Sequence, residues 1–544
     1  MKTRIAALIF AAFTLFALSA CVGSQDTPPV NTSPTSGAAI STPSPSQLGT
    51  PSPPSSTMTT PAPSPPTENN DTDTPPDNEP DYTNDYDYEY SAELGGIIII
   101  KYKGSDADVI IPSAIEKQPV VSIGENAFRD NRSLVSVTIP ESVTIIGEDA
   151  FRSLRSLASV TIPNSVTEIG KGAFSSNYSL VSVTISNSIT VIGEDVFRNN
   201  RSLVSVTIPD SVTEIGSGAF RDCRSLTDVT IPDSLARIVG GAFHDTAWLA
   251  AQPDGIVYMG KVAYMFKGMI PSDTHLSFND GTKGIADYSF SYQPSLVSVT
   301  IPDSVICIGE GAFDACTNLS SIIIPDSVTY VGYAAFTSTA WLYAQPDGLV
   351  YVGKVAYVYL DRGTTPPTTH ITIEDGTTEI ADYAFQNRNS LESITIPSGV
   401  ISIGNRAFYG CSSLSSVTIP GSVTNIGEGA FSGCTSLVSI ALPDSITNIG
   451  EGAFSGSSLS SVTIPSGITS IGQEIFVNCT SLSSVTIPFG ITRIGDRAFS
   501  GCTSLEALTI PDSVTSIADR AFRDCPISGN EKERILQINP LAFG

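Results

Sequence analysis

Apolar and polar residues follow one pattern that returns every 23 residues over most of the chain. Each unit ends near an alanine–phenylalanine pair, and the aligned phenylalanines are Phe128, Phe151, Phe174, Phe197, Phe220, Phe243, Phe290, Phe313, Phe336, Phe385, Phe408, Phe431, Phe454, Phe476, Phe499 and Phe522. Their spacing departs from 23 at three places, where it is 47, 49 and 22 residues. So many aligned units exclude chance periodicity and indicate a repeat architecture.

The unit that starts at Leu414 is representative. The leucine is followed by Ser-Ser-Val-Thr-Ile-Pro, in which Val and Ile alternate with Ser and Thr, the period of a short strand that the proline ends. The rest of the unit has partly helical spacing, but Gly427 and the short run favour a single helical turn or a second extended piece. The predicted inward side chains are Leu414, Val417, Ile419, Val423, Ile426 and Phe431.

A single unit of this kind cannot bury enough apolar surface to fold alone, so neighbouring units must stack. The sequence therefore predicts a mostly β solenoid over residues 128–525. We expect an N-terminal cap over 94–127, where Ile97–Ile100 and Val109–Ile111 flank a polar turn as a hairpin-like pair. We expect a C-terminal cap over 526–544, with Asn530 capping a helix from Glu531 to Ile538.

Two interruptions, at about 246–278 and 339–373, match each other and explain the two long spacings. Each contains Thr-Ala-Trp-Leu, then two alternating apolar segments around Gly-Lys, which predicts an inserted β-hairpin. The aromatic residues are candidates for contacting a sugar or partner, whereas the alternative is that the tryptophans seal the core where the hairpin leaves. They are Trp248, Tyr258, Tyr264, Trp341, Tyr351 and Tyr357.

The first 93 residues differ in composition from the repeats. Lys2 and Arg4 precede a short apolar run, and Leu18-Ser-Ala-Cys21 then resembles a bacterial lipobox, at which a signal peptide is removed before a lipid-modified cysteine. We expect a signal peptide over 1–20 and membrane anchoring through lipidated Cys21. Residues 21–93 are rich in Pro, Ser and Thr and predict an extended, disordered stalk.

The pattern Leu-x-x-Val-x-Ile-Pro-x-x-Val-x-x-Ile-Gly-x-x-Ala-Phe-x-x-Cys resembles the BspA-like type of leucine-rich repeat of bacterial surface proteins. The resemblance implies a leucine-rich repeat solenoid that forms a right-handed superhelix, with a parallel sheet on its concave side. It departs from the pattern where Ser186 replaces the proline and where Val196 and Ile475 replace the alanine. Proteins of this type bind host matrix, other cells or polysaccharide.

Composition and motifs narrow the functional classes further. The net charge of −26 argues against nucleic acid as a partner. The three histidines, His244, His275 and His370, have no metal-ligand spacing, and no catalytic motif is present. We therefore expect neither enzymatic activity, nor a cofactor, nor a metal.

Seven of the nine cysteines occupy one repeat position, three residues after the phenylalanine: Cys223, Cys316, Cys411, Cys434, Cys479, Cys502 and Cys525. Stacking would bring neighbours close enough for disulfides, but parallel side chains give poor disulfide geometry. Buried free thiols are the favoured interpretation. Cys307 lies at another position and is expected to fill core.

The outward residues of the predicted strands form rows of hydroxyl groups, which are candidate ligand contacts. They are Ser136, Thr138, Ser159, Thr161, Ser182, Thr184, Ser205, Thr207, Asp228, Thr230, Ser298, Thr300, Ser393, Thr395, Ser416, Thr418, Ser461, Thr463, Ser484 and Thr486. Such rows suit sugars or ice, and they are also ordinary for a solvated strand face.

The leading hypothesis is a lipid-anchored adhesion or binding protein on a bacterial surface, whose ligand is an extracellular protein or polysaccharide. The alternative is a structural spacer or envelope component without a specific ligand. Ice binding by the hydroxyl rows is a third hypothesis.

Overall fold

The computed structural model describes residues 84–91, 94–363, 367–506 and 508–544. The predicted signal peptide, Cys21 and nearly all of the predicted stalk lie outside these residues. The described chain is a mostly β parallel solenoid of about 18 turns with few helices, as the repeat predicts. Each regular turn contributes one short strand to each of two parallel ladders.

The first ladder contains the Ser-x-Thr strands. Its members are β3 (Asp108–Ile110), β6 (Ser136–Thr138), β8 (Ser159–Thr161), β10 (Ser182–Thr184), β12 (Ser205–Thr207), β14 (Asp228–Thr230), β18 (Thr274–Ser277), β20 (Leu296–Thr300), β22 (Ser321–Ile323), β26 (His370–Thr372), β28 (Ser393–Thr395), β30 (Ser416–Thr418), β32 (Ser439–Ala441), β34 (Ser461–Thr463) and β36 (Ser484–Thr486). Equivalent residues of neighbouring turns pair in register, as Ser393 with Ser416 and Thr395 with Thr418.

The second ladder is built from the residue pair that precedes the repeated glycine. Its two-residue members are β7 (Ile145–Ile146), β9 (Glu168–Ile169), β11 (Val191–Ile192), β13 (Glu214–Ile215), β15 (Arg237–Ile238), β19 (Gly284–Ile285), β21 (Cys307–Ile308), β23 (Tyr330–Val331), β27 (Glu379–Ile380), β29 (Ser402–Ile403), β31 (Asn425–Ile426), β33 (Asn448–Ile449), β35 (Ser470–Ile471), β37 (Arg493–Ile494) and β38 (Ser516–Ile517). The isoleucine of each pair points into the core, so the preceding residue points out.

The repeated phenylalanines form stacks in the core. Within a run, neighbouring rings lie 4.9–5.7 Å apart, for example 5.1 Å between Phe408 and Phe431, within the range of favourable ring stacking. In most regular turns the backbone N–H of the phenylalanine also donates to the alanine carbonyl of the next turn, as from Phe431 to Ala453 (2.7 Å). Side-chain stacking and hydrogen bonding therefore hold each turn to the next.

The glycine after the second strand is required by close backbone approach. A Cβ atom on Gly427 would lie 2.5 Å from the backbone nitrogen of Asn405 in the previous turn. The turn after the first strand is closed by a hydrogen bond from the Val423 N–H to the Pro420 carbonyl (3.1 Å). The whole predicted inward set of this unit is buried.

The N-terminal cap differs from the prediction in two ways. Ile97–Ile100 and Val109–Ile111 do not pair as a hairpin, because β2 (Gly96–Tyr102) joins the second ladder through β5 (Gln118–Ile123), whereas β3 joins the first. β5 also pairs with the short β4 (Ala114–Ile115). The antiparallel partner of β2 is β1 (Tyr86–Ser91), so the cap begins inside the segment assigned to the stalk.

Tyrosines explain why this acidic segment is ordered. Tyr86 is buried, and its ring lies 5.2 Å from that of Tyr102, which in turn stacks on Phe128 at 5.1 Å. The period-two spacing of tyrosines in Tyr86–Tyr90 is thus that of a strand, and two tyrosine rings cover the first phenylalanine of the stack.

Each interruption contains the predicted hairpin and, before it, a helix that the sequence did not predict. The helices are α1 (Ala247–Ala251) and α2 (Ala340–Ala344), and the hairpin strands are β16 (Gly255–Met259), β17 (Val262–Lys267), β24 (Gly348–Val352) and β25 (Val355–Leu360). The Thr246 and Thr339 hydroxyls accept the N-cap hydrogen bonds of the two helices. β17 and β25 also pair in parallel with β19 and β27, so the hairpins are built into the second ladder.

The C-terminal cap is α3 (Gly529–Ile538), which covers the last turn through buried Ile535. Its N-cap residue is Ser528, whose side chain makes no capping hydrogen bond, so the predicted cap at Asn530 is wrong by two residues. The Glu531 side chain instead accepts from the Ile510 N–H (2.7 Å). Phe543 then closes the stack at 5.9 Å from Phe522.

Because the phenylalanine rings stack on one another, the loss of one ring should lower the free energy of unfolding substantially. F431A should destabilise the protein by about 3–5 kcal/mol, because it removes a fully buried ring between two others. F489A serves as the control: its side chain is 82% exposed, and we expect a change within about 0.5 kcal/mol. Urea denaturation of both variants checks this, and equal effects would contradict the role of the stack.

Candidate functional site

The hydroxyl rows of the first ladder lie on the surface. In most of its strands the two outer residues are exposed and the middle residue is buried, as in Ser416–Thr418. The rows are interrupted where Ile110, Ile323 and Ala441 take the threonine position. Exposed valines flank part of the serine row, among them Val181 and Val204. The face is therefore open and mixed in chemistry.

Two histidines begin new segments of this ladder after the hairpins. His275 Nδ1 lies 2.6 Å from Ser298 Oγ, and His370 Nδ1 lies 2.7 Å from Ser393 Oγ. At the N-terminal end, Asp108 accepts in the same way from Ser136 Oγ (2.5 Å). These three residues bond the first serine of each segment and are exposed.

The side chains of Tyr264 and Tyr357 in the two hairpins are buried and hydrogen-bond backbone N–H groups. The Tyr264 hydroxyl accepts from the Phe243 N–H (3.0 Å), and the Tyr357 hydroxyl accepts from the Phe336 N–H (3.1 Å). In most regular turns an alanine carbonyl accepts this hydrogen bond from the phenylalanine N–H. Here the tyrosine hydroxyl replaces the backbone carbonyl as the acceptor between turns. Burial raises the pKa of Tyr264 to about 12.

The remaining hairpin aromatics also make structural contacts. Tyr258 and Tyr351 accept from the N–H groups of Asn279 and Glu374, each at 2.9 Å. The rings of Trp248 and Trp341 lie 6.0 and 5.2 Å from Phe243 and Phe336. They cover the stack where it is interrupted, which matches the core-sealing interpretation.

The eight cysteines in the described chain are free and buried. Each thiol at the repeated position donates to the phenylalanine carbonyl of the preceding turn, for example Cys411 Sγ to the Phe385 oxygen (3.1 Å). Asn200 and Thr246 occupy the same repeat position and bond the same kind of carbonyl. This position therefore satisfies a buried carbonyl.

A groove lies over the second ladder, where the outward residues are largely buried. Its cavity of about 490 Å³ is lined by side chains from turns far apart in sequence, from Glu214 to Asp496. The outward row includes Glu214, Arg237, Tyr330, Glu379, Asn425 and Asn448. The concavity of the described chain that could hold a ligand is thus on the second ladder, whereas the sequence placed candidate contacts on the first.

Arg237 is the centre of an ionic cluster at one end of the groove. Its guanidinium lies 3.3 Å from the Asp287 carboxylate and 3.8 Å from that of Glu214. The same guanidinium lies 5.5 Å from the centre of the Tyr330 ring. Burial raises the pKa of Glu214 and Asp287, and Arg237 opposes that rise.

Glu379 is buried near this cluster with one unpartnered oxygen. It is 5% exposed, and its Oε2 atom makes no hydrogen bond. Burial, and then repulsion from Asp382, raise the pKa of Glu379 well above its ordinary value. The anion is therefore poorly stabilised here.

Buried amides continue the row toward the C-terminal end. Asn448 Nδ2 donates to Asn425 Oδ1 (2.7 Å), and Asn425 Nδ2 donates to Ser402 Oγ (3.1 Å). Such a chain fixes the amide orientations in three consecutive turns. Both asparagines line the groove.

A second cavity, of about 570 Å³, lies between the end of the first ladder and α3. Ser484 and Thr486 line it together with Glu531. Among the described residues that line this cavity, no buried side-chain nitrogen or oxygen lacks a hydrogen-bond partner, whereas Glu214 Oε2 in the groove does.

Within the residues given by the structure, no group of three or more His, Cys, Asp or Glu side chains is placed to hold a metal ion. Over the same residues, no helix has the length and apolar character needed to cross a membrane.

Two parallel ladders, a 23-residue turn and a leucine-initiated strand define a leucine-rich repeat protein. The family model for the BspA type leucine rich repeat region matches residues 121–249, 262–345, 364–483 and 402–528. The chain therefore belongs to the BspA-type leucine-rich repeat family. No curated protein matches the chain.

Several solved structures are similar to the chain. A leucine rich cell surface protein from Faecalibacterium prausnitzii is 26% identical, covering 83% of this chain and 95% of its own, with a TM-score of 0.30. A leucine-rich repeat protein from Bacteroides ovatus is 28% identical, covering 79% and 93%, with a TM-score of 0.28. The pneumococcal vaccine antigen PcpA is 17% identical, covering 85% and 96%, with a TM-score of 0.24.

The groove residues form no motif in the sequence, because they share a repeat position in separate turns instead of a local pattern. The position before Ile-Gly carries Glu, Arg, Tyr, Asn, Ser and Cys in different turns, whereas the core positions hardly vary. A repeat position whose polar residues change from turn to turn was the available signal.

Burial predicts that the thiols are unreactive in the folded protein. Burial raises the pKa of Cys223 to about 12 and that of Cys411 to about 11, so neither forms appreciable thiolate at pH 8. In the absence of urea, we expect Ellman's reagent to label none of the eight buried cysteines from Cys223 to Cys525. Rapid labelling without urea, or fewer than eight reactive thiols after unfolding, would contradict this.

Replacing Glu379 by glutamine should stabilise the folded protein, by an amount that depends on pH. Because its pKa is raised in the folded state, the stability it contributes is present below pH 4.5 and is lost as the pH rises through the raised value. E379Q should therefore be more stable than the parent at pH 7, by about 1–3 kcal/mol.

The gain from E379Q should vanish near pH 3.5, where the carboxyl group is protonated in both states. D303N, at an exposed turn, is the control and should differ from the parent by no more than about 0.5 kcal/mol at either pH. Urea denaturation at both pH values measures this. A destabilising E379Q at pH 7 would mean that the anion has stabilising partners.

Proposed function

We propose that the chain is a cell-surface binding module whose ligand enters the groove on the second ladder. The observation that carries the proposal is the set of buried and half-buried polar side chains that line one cavity of about 490 Å³. Fixed polar groups in a concave site are what a specific ligand requires. The hydroxyl rows are exposed along most of their length, and the cavity that Ser484 and Thr486 line lies only at their C-terminal end.

The role is binding rather than catalysis. Membership of a repeat family, and similarity to a leucine rich cell surface protein, support a location on the bacterial surface. Lipidation at Cys21 and the predicted stalk between Cys21 and the cap strand β1 would hold the module away from the membrane. The ligand would be an extracellular protein or polysaccharide, and a spacer without a ligand is the alternative.

Two Thr→Trp variants in neighbouring turns test which face binds. Thr447 is exposed and lines the groove, whereas Thr418 is exposed on the first ladder. T447W should reduce binding of captured matrix proteins or glycans at least about tenfold, because the indole fills the cavity, and T418W should leave it unchanged.

The readout is binding of the full chain to arrays of matrix proteins and glycans. Loss of binding with T418W alone would move the site to the hydroxyl rows. Absence of any ligand above background for the parent chain would favour the spacer.

A further inference from the structure

Carboxylates outnumber basic groups in the groove. Its lining contains the two guanidinium groups of Arg237 and Arg493 and the carboxylates of Glu214, Glu310, Asp382, Glu428, Glu451 and Asp496. Arg237 is already engaged by Glu214 and Asp287. The open part of the groove is therefore electronegative and attracts cations.

Like charges crowd together at the C-terminal end of the groove. Burial, and then repulsion from Glu474 and Glu428, raise the pKa of Glu451. Burial and repulsion from Glu474 likewise raise the pKa of Asp496, although Arg497 opposes this. Arg497 and Arg406 pair with Glu474 and Glu428 at 2.8 and 2.7 Å and offset part of this repulsion. A bound cation would relieve the remainder.

A buried carboxylate oxygen in the groove lacks a hydrogen-bond partner. Glu214 is 8% exposed and lines the cavity, and its Oε2 atom accepts no hydrogen bond. The nearest cation is Arg237, at 3.8 Å, which is beyond hydrogen-bond distance. Leaving such an oxygen unsatisfied is costly, so it marks a position for a donor from outside the chain.

Two arginine side chains in this region are bound by the same arrangement, in which the guanidinium contacts a carboxylate and a tyrosine ring. Arg237 lies between carboxylates and against the Tyr330 ring at 5.5 Å. Arg406 bonds Glu428 at 2.7 Å and lies 5.9 Å from the Tyr383 ring. Carboxylates and an aromatic face together form a good site for a desolvated guanidinium.

One aromatic ring of the groove remains open to solvent. Tyr333 lines the cavity, is 46% exposed, and packs beside Tyr383 at 4.5 Å. Glu310 and Asp382 line the same cavity, and Glu310 repels Asp382. The Tyr288 hydroxyl donates to Glu310, and Asn405 donates to both oxygens of Asp382, which leaves further lone pairs on each carboxylate to accept from a cation. The same combination of ring and carboxylates is thus present without an arginine of its own.

We propose that the groove binds a basic segment of a protein, with an arginine or lysine side chain placed beside Tyr333, Glu310 and Asp382. This rests on the proposed function and names the ligand class of the same site. A neutral polysaccharide would leave the carboxylates uncompensated. In the described residues, no set of side chains suits a metal ion.

Isothermal titration calorimetry of the full chain at 150 mM salt tests the proposal with two peptides, nona-arginine and nona-glutamine. The parent should bind the first and not the second. E310Q/D382N should weaken binding of nona-arginine at least about tenfold, because charge-assisted hydrogen bonds to the guanidinium are lost.

D303N/D326N is the matched control, since it removes the same charge from exposed turns outside the groove. Its binding should stay within about twofold of the parent. Equal weakening by both double variants would assign the attraction to the net charge of −26 rather than to the groove, and would overturn the proposal. If E310Q/D382N does not fold, E451Q/D496N at the other end of the groove replaces it.

The two proposals fail in different ways. If a neutral glycan binds and T447W abolishes that binding while nona-arginine does not bind, the groove is the site but the ligand class is wrong. If no probe gives T447W-sensitive binding, the proposed function itself fails.

Discussion

Stacking of one phenylalanine per turn is the interaction on which the solenoid depends. The rings lie about 5 Å apart, close to the spacing of hydrogen-bonded strands, so ring contact and backbone hydrogen bonding favour the same turn height. Where the stack ends or is interrupted by a hairpin, other aromatic residues take over its contacts. Tyr86 and Tyr102 cover one end, Phe543 covers the other, and the hairpin tyrosines replace the lost backbone rungs with their hydroxyls.

The same stacking forces outward side chains into rows. On the first ladder the outward side chains are exposed and mostly uncharged. Electrostatic interactions between neighbouring turns therefore contribute little to stability there. On the second ladder the outward positions are buried or half-buried, and ionisable residues there act on one another across several turns. Arg237 stabilises Asp287 although 50 residues separate them, and Glu379 is left with an uncompensated oxygen. Unfavourable charge placement of this kind is common at functional sites, and it supports the proposal that the groove binds a ligand.

The regular core positions and the proposed binding site therefore occupy different columns of the repeat. Leucine, isoleucine, alanine and phenylalanine positions hardly vary, because each must fit the turn before and after it. Cysteine, asparagine and threonine exchange at one position since each can donate to the phenylalanine carbonyl. The column before Ile-Gly varies in charge and size, and part of it, from Glu214 to Arg493, lines the groove.

The sequence by itself determined the repeat length, the inward residues, the hairpins and the thiol row, because each depends on contacts between equivalent positions of neighbouring turns. It misjudged Tyr86–Tyr90, whose tyrosines are ordered only by a partner strand, and it paired two cap strands that belong to different ladders. It also could not locate the groove. Which outward row becomes buried depends on how many turns bring their side chains together, and that is decided by the tertiary structure alone. Glu214, Arg237, Asp382 and Asp496 are ordinary surface residues until the stacked turns gather them into one cavity.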